Sequence, residues 1–66
     1  MLLKISDTAV IETMDIIAIC IEASRDIFTW VFTLTGNIEI LSENFSSMDE
    51  ATKWLDKILK EIKKGE

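Results

Sequence analysis

The sequence predicts an α+β domain: an antiparallel β-meander of four to five strands, with one C-terminal α-helix packed on one face of the sheet. Three observations predict it. Phe28, Trp30, Phe32 and Leu34 alternate with Thr29, Val31, Thr33 and Thr35, Gly36-Asn37 breaks the run, and Ile38 and Ile40 resume it. That is a half-buried strand, a turn and a second half-buried strand. Beyond Ser47, the residues Met48, Ala51, Leu55, Ile58 and Ile62 recur at i, i+3 and i+4 spacing, the stripe of an amphipathic helix. Finally, the turns along the chain agree on one inner face of the sheet, as a meander requires.

Leu2 to Ser6 reads as the first strand, with Leu3 and Ile5 on one face, and Ser6-Asp7-Thr8 as turn material. Ala9 to Glu12 is a short second strand, Thr13-Met14-Asp15 the next turn, and Ile16 to Ala23 the third strand. Residues 8–18 also admit a helix, since Val10, Ile11, Met14, Ile17, Ala18 and Ile21 fall at helical spacing. That reading gives a β-α-β-β-α order. Against it stands the β-branched content of the stretch, Thr8, Val10, Ile11, Thr13, Ile16, Ile17, Ile19 and Ile21, which packs best on a pleated surface.

Register tests the strand reading, because a slip of one residue moves every side chain to the other face. A four-residue loop at 24–27 pairs Ala23 with Phe28, Ile21 with Trp30, Ile19 with Phe32 and Ile17 with Leu34. A three-residue loop, Thr35-Gly36-Asn37, pairs Leu34 with Ile38 and Phe32 with Ile40, and Asn37 tolerates the left-handed conformation such loops need. Loops at 6–8 and 13–15 set Leu3 beside Ile11 and Ile11 beside Ile17. The fifth strand ends near Phe45.

Ser47 and Glu50 have the spacing of a capping box, so the helix runs over 47–64. Asp49/Lys53 and Asp56/Lys60 are acid-first i,i+4 pairs, Lys63 and Lys64 suit the C-terminal end of the dipole, and Gly65 can end the helix. The whole of 1–66 is then a single domain, with sheet over 1–45 and helix over 47–64.

A chain of 66 residues buries a limited core and calls for further support. A single cysteine, Cys20, excludes an internal disulfide, and the absence of histidine leaves no zinc site of the usual kind. What remains is an Ile-rich core and self-association. Met1-Leu2-Leu3-Lys4 does not open a signal peptide, and the apolar run Ile16 to Ile21 is far too short to span a bilayer. With a free thiol, the expectation is a soluble cytoplasmic protein.

The net charge of −5 is uneven: residues 1–52 hold nine acids against Lys4 and Arg25, and residues 53–66 hold five lysines against three acids. The sheet is acidic and repels phosphate backbones. Without histidine there is no Ser-His-Asp or Cys-His arrangement, and two glycines make no phosphate-cradling loop. Glu22, Thr29 and Glu43 fall in one outer row, where two carboxylates two strands apart most often form a solvated pair rather than an acid/base couple. No catalytic residues, metal or cofactor are implied, and the protein is not expected to be an enzyme. Phe28, Trp30 and Phe32 point inward, as core aromatics rather than base-stacking residues.

The outer face is the anomaly. Val10 with Ala18, and Cys20 with Val31 and Leu41, form adjoining apolar rows on a face that should read polar if solvated. Thr29, Thr33, Lys4, Glu22 and Glu39 rim them as an interface rim would. Such a patch marks an interaction site, and Cys20 is a small apolar filler within it. The expected function is therefore a small non-enzymatic interaction module: a regulator, adaptor or inhibitor of the kind that phage and mobile elements encode. It would be a homo-oligomer through this face, or dock another protein. Two alternatives stay open. A sensor or sponge would hold a small molecule or nucleotide between subunits, gripped by Arg25, Lys57 and Lys60. Weak nucleic-acid binding would run through the lysine-rich helix, though lysines interleaved with acids read more simply as a solvated face.

Overall fold

Strand-forming residues fill most of the first 45 positions, and the computed structural model, which describes residues 1–65, folds them into antiparallel strands followed by one helix. The strands are β1 (Leu2–Ser6), β2 (Ala9–Glu12), β3 (Ile16–Ser24), β4 (Ile27–Leu34) and β5 (Ile38–Phe45), and the helix is α1 (Met48–Lys64). The α+β class, the strand number and the C-terminal helix are as the sequence predicts. Residues 8–18 form no α-helix.

The strands divide between two sheets, a β1–β2 hairpin and a β3–β4–β5 meander. The division is made at Thr13–Asp15, which closes as a single 3-10 turn with the Ile16 N–H bonded to the Thr13 carbonyl. The two ends of that turn serve different ladders. Thr13 donates its N–H to the Met1 carbonyl at 2.9 Å, while the Asp15 carbonyl accepts from the Thr35 N–H at 2.8 Å. Leu3 sits beside Ile11 as expected, but Ile11 does not meet Ile17. The hairpin instead brings Leu3, Ile5 and Ile11 into the core shared with Trp30, Phe32, Ala51 and Ile58.

In the meander, Ala23 pairs with Phe28, Ile21 with Trp30 and Ile19 with Phe32, as the sequence register requires. The β3–β4 loop is shorter than expected. Ser24 already pairs with Ile27, leaving a two-residue turn in which Arg25 takes a φ of 58°, the sign favoured in tight hairpins. A bulge between Ile16 and Ala18 gives Leu34 to Ile16 rather than to Ile17, and leaves Ile17 62% exposed. On the other side, Phe32–Ile40 and Leu34–Ile38 form as expected, through a turn with positive φ at Gly36 and Asn37.

A second bulge interrupts β4–β5. Val31 pairs with Leu41 but Thr29 pairs with Asn44, so Ser42 and Glu43 together oppose Trp30. The Ser42 hydroxyl repairs the ladder, accepting from the Trp30 backbone N–H at 2.9 Å and donating to the Glu43 carbonyl at 2.9 Å. The extra residue turns Phe45 onto the inner face beside Phe28. There Phe45 meets Trp54 of the helix with ring centroids 5.4 Å apart, and Phe32 meets the same indole edge-on at 6.0 Å.

Ser47 caps the helix, its hydroxyl accepting from the Glu50 N–H at 3.2 Å. The Glu50 carboxylate takes its bond from the Ser46 hydroxyl, so only half of the capping box is made. Ala51 and Ile58 form the buried stripe, flanked by half-buried Trp54, Leu55 and Ile62, while Met48 remains exposed at the N-terminal end. Among the described residues the ion pairs are Met1–Glu12 and Lys4–Asp7, so neither i,i+4 pair on the helix closes. Gly65 ends the helix with a right-handed φ of −78°. A Cβ there would meet only the end of the Met1 side chain, which is exposed and can turn aside.

Candidate protein interface

The helix and the hairpin cover one face of the meander, and the register fixes what lies on the other. Its central row is Cys20–Val31–Leu41, the row expected from the sequence. Along the strands it is bounded by Ala18–Thr33–Glu39 on one side and Glu22–Thr29–Asn44 on the other. An apolar row thus runs across the sheet between rows that carry hydroxyls, carboxylates and an amide.

Exposure divides the row. Leu41 is 54% exposed and Cys20 and Ala18 are exposed, whereas Val31, on the central strand between two neighbours, is only 8% exposed. Val31 is the floor of the patch rather than a contact residue. Thr29 and Thr33 are half-buried along the same strand. Thr29 donates its hydroxyl to the Asn44 side-chain oxygen at 2.7 Å, which holds that end of the face in a fixed geometry.

Two rows come out otherwise than read from the sequence. Val10 is 59% exposed, but it lies on β2 opposite Lys4 in the separate hairpin, so it does not extend the Ala18 row. Glu43 falls at the β5 bulge, and Asn44 takes its place opposite Thr29. The outer row of two carboxylates therefore does not form. Ile27 is an outer-face residue that the sequence reading missed. It shares the parity of Thr29 and Val31, and a two-residue β3–β4 turn would have placed it there.

The residues considered for ligand binding do not converge. Arg25 is exposed at the β3–β4 turn, the end of the sheet from which β5 passes into the helix N-terminus. Lys57 and Lys60 are exposed farther along the helix, Lys57 roughly 13 Å along the axis from Met48 at 1.5 Å per residue. A shallow hollow of about 300 Å³, lined by Met1, Thr13, Met14, Ile62 and Gly65, opens at the opposite end. Beside it the Met1 ammonium bonds the Glu12 carboxylate, and that hydrogen bond holds the Glu12 carboxyl below its ordinary range, helped by the backbone N–H groups of Met14 and Thr13. No helix among the described residues is long and apolar enough to cross a membrane.

No family model matches the chain, and no curated protein or solved structure does so.

Proposed function

We propose that the protein is a non-enzymatic interaction module, a regulator, adaptor or inhibitor, that self-associates through the outer face of β3–β4–β5. The observation that carries this reading is the Cys20–Val31–Leu41 row, apolar across three strands on the face that neither helix nor hairpin covers. Two features support it. The chain exposes 4798 Å², where a compact monomer of 7.5 kDa exposes about 4,200 Å². The exposed large apolar side chains include Ile27 and Leu41 of the outer face. A self-associating chain also gains the burial that so short a sequence lacks. The exposed thiol of Cys20 suits a reducing compartment, and we assign the protein to the cytoplasm on that ground.

Native mass by light scattering across a dilution series tests the reading, with Leu41→Glu as the variant. Leu41 is chosen because it is exposed, whereas a charge at buried Val31 would unfold the sheet. The expected result is a dimer or larger species in the parent chain and a species of lower mass in Leu41→Glu. A parent chain that is monomeric at every concentration overturns self-association, and a Leu41→Glu variant that keeps the parent mass removes the outer face from it.

A further inference from the structure

One border of the meander is open. In the strand order β3–β4–β5, β5 has β1 packed against it, whereas β3 lies against β4 and makes no comparable contact with any other described element. An uncovered strand edge offers a row of free N–H and C=O groups to any strand that fits, and folded proteins blunt such edges with Lys, Pro, a short strand or a covering segment. The nine residues of β3, Ile-Ile-Ala-Ile-Cys-Ile-Glu-Ala-Ser, contain no Lys, Arg or Pro and a single charge, Glu22. Its one bulge, at Ile16/Ala18, leaves the ladder from Ala18 to Ser24 regular.

The register identifies which backbone groups are free. The closing pair of a two-residue hairpin exchanges both of its hydrogen bonds, and bonded and non-bonded pairs alternate from there. Ser24–Ile27 is that closing pair, so Glu22, Cys20 and Ala18 are bonded to β4 while the N–H and C=O of Ile19, Ile21 and Ala23 point off the sheet. The same phase accounts for bonds seen elsewhere: the Trp30 N–H points to β5, where it meets Ser42, and the Thr35 N–H points to the β3 side, where it meets Asp15.

We propose that this edge pairs with the β3 of a second copy of the chain, antiparallel and centred on Cys20, so that two three-stranded sheets join into one of six. It shares with the proposed function the premise that the partner is another copy, but it rests on the backbone edge and not on the outer face. A second copy is the occupant because the strand is complementary to itself. In the register centred on Cys20, Ile19 exchanges hydrogen bonds with Ile21 of the other copy, and Ile21 with its Ile19, on the inner face. Glu22 stands opposite Ala18 of the other copy, so the one charge on the strand does not meet its own image. Centring on Cys20 also overlaps the whole strand, whereas a shift that centres on Glu22 opposes two carboxylates and shortens the ladder. On the outer face, the Cys20–Val31–Leu41 row of one copy runs directly into that of the other.

The test is amide hydrogen exchange on the parent chain at concentrations on both sides of the light-scattering transition, with Ile21→Pro and Ile21→Lys as variants. In the dimer, the Ile19 and Ile21 amides exchange at least tenfold more slowly than in the dilute monomer, and this protection falls with the mass on dilution. Proline at position 21 removes an N–H that the fold itself does not use, and lysine supplies the missing edge guard. In both variants the Ile19 amide exchanges at the monomer rate at every concentration and the native mass is below that of the parent, and the lysine variant decides the matter if the proline variant does not fold. A dimer in which Ile19 and Ile21 exchange at the monomer rate overturns the edge pairing and leaves association to the outer face. A chain that stays monomeric throughout overturns both.

Discussion

The indole Nε1 of Trp30 donates a hydrogen bond of 2.9 Å to the carbonyl oxygen of Ala51. It joins the middle of the central strand to the first turns of the helix. Ala51 has no exposed surface, so the helix backbone sits directly on the indole. A larger residue at 51 would lift it off. The same helix brings Trp54 against Phe32 and Phe45. One hydrogen bond and two aromatic contacts thus tie the N-terminal half of the helix to β4 and β5.

Replacing Trp30 by Phe removes that bond and part of the ring. The bond contributes about 1 kcal/mol, and the lost ring volume about as much again. Trp30→Phe is expected to lower unfolding free energy by about 2 kcal/mol in urea titrations, with an unchanged slope. Ala51→Leu overpacks the same contact and costs about 1–3 kcal/mol. An Ala51→Leu protein as stable as the parent would mean that the helix does not rest on Trp30 in solution.

Ser42 makes a second, narrower prediction. Its hydroxyl is buried and is the acceptor for the Trp30 N–H across the β5 bulge. Ser42→Ala leaves a buried donor without an acceptor, which costs about 1–3 kcal/mol. Ser46 is the contrast, since its hydroxyl bonds the Glu50 carboxylate in an exposed setting. Ser46→Ala should stay within about 0.5 kcal/mol of the parent. Equal stabilities in the two variants would show that the strand relaxes to regular pairing once the Ser42 hydroxyl is gone.

The two bulges in the meander also mark where the sequence stops being legible. Alternation in Phe28–Leu34 gives the faces of β4, and the stripe from Ala51 to Ile62 gives the helix, because both are repeated signals that a single residue cannot shift. The bulges at Ile16/Ala18 and Thr29/Val31 each insert one residue and reverse the parity of the residues beyond it. They move Ile17 off the Leu34 pairing and put Asn44 where a regular ladder puts Glu43. A serine hydroxyl standing in for a ladder bond leaves no periodic trace. Nor does the 3-10 turn at Thr13–Asp15, whose composition fits an ordinary hairpin loop equally well. The outer row Cys20–Val31–Leu41 is legible because it lies between the bulges, in regular register on both sides.

Acid should weaken the hairpin through Glu12. Its carboxyl is held below the ordinary range chiefly by the hydrogen bond from the Met1 ammonium. A depressed carboxyl contributes stability above the pKa it has in the unfolded chain, and that contribution is lost as pH falls through the folded value. Stability should therefore decline on acidification from the ordinary glutamate range downward. In Glu12→Gln that part of the decline is absent, while the plateau at neutral pH is lower. Parallel pH profiles of the midpoint in urea for the two proteins would remove Glu12 from the acid response.

The edge pairing makes a covalent prediction. In the register centred on Cys20, the two Cys20 residues face each other as a non-hydrogen-bonded pair. Their Cα atoms are then about 4.5 Å apart, within reach of a disulfide. Diamide, which takes up the two electrons and two protons that the thiols release, should convert the concentrated parent protein to a covalent dimer. The dilute monomer should cross-link far more slowly. Moving the thiol tests the register itself. In a Cys20→Ser, Ala18→Cys double variant, which keeps Glu22, position 18 stands opposite Glu22 of the second copy. Its own counterpart then lies four positions further along the strand, roughly 13 Å away at 3.3 Å per residue. That variant should associate and yet fail to cross-link. Equal cross-linking at both positions would mean that the strands slide past one another, and the single register argued from Ile19, Ile21 and Glu22 would not hold.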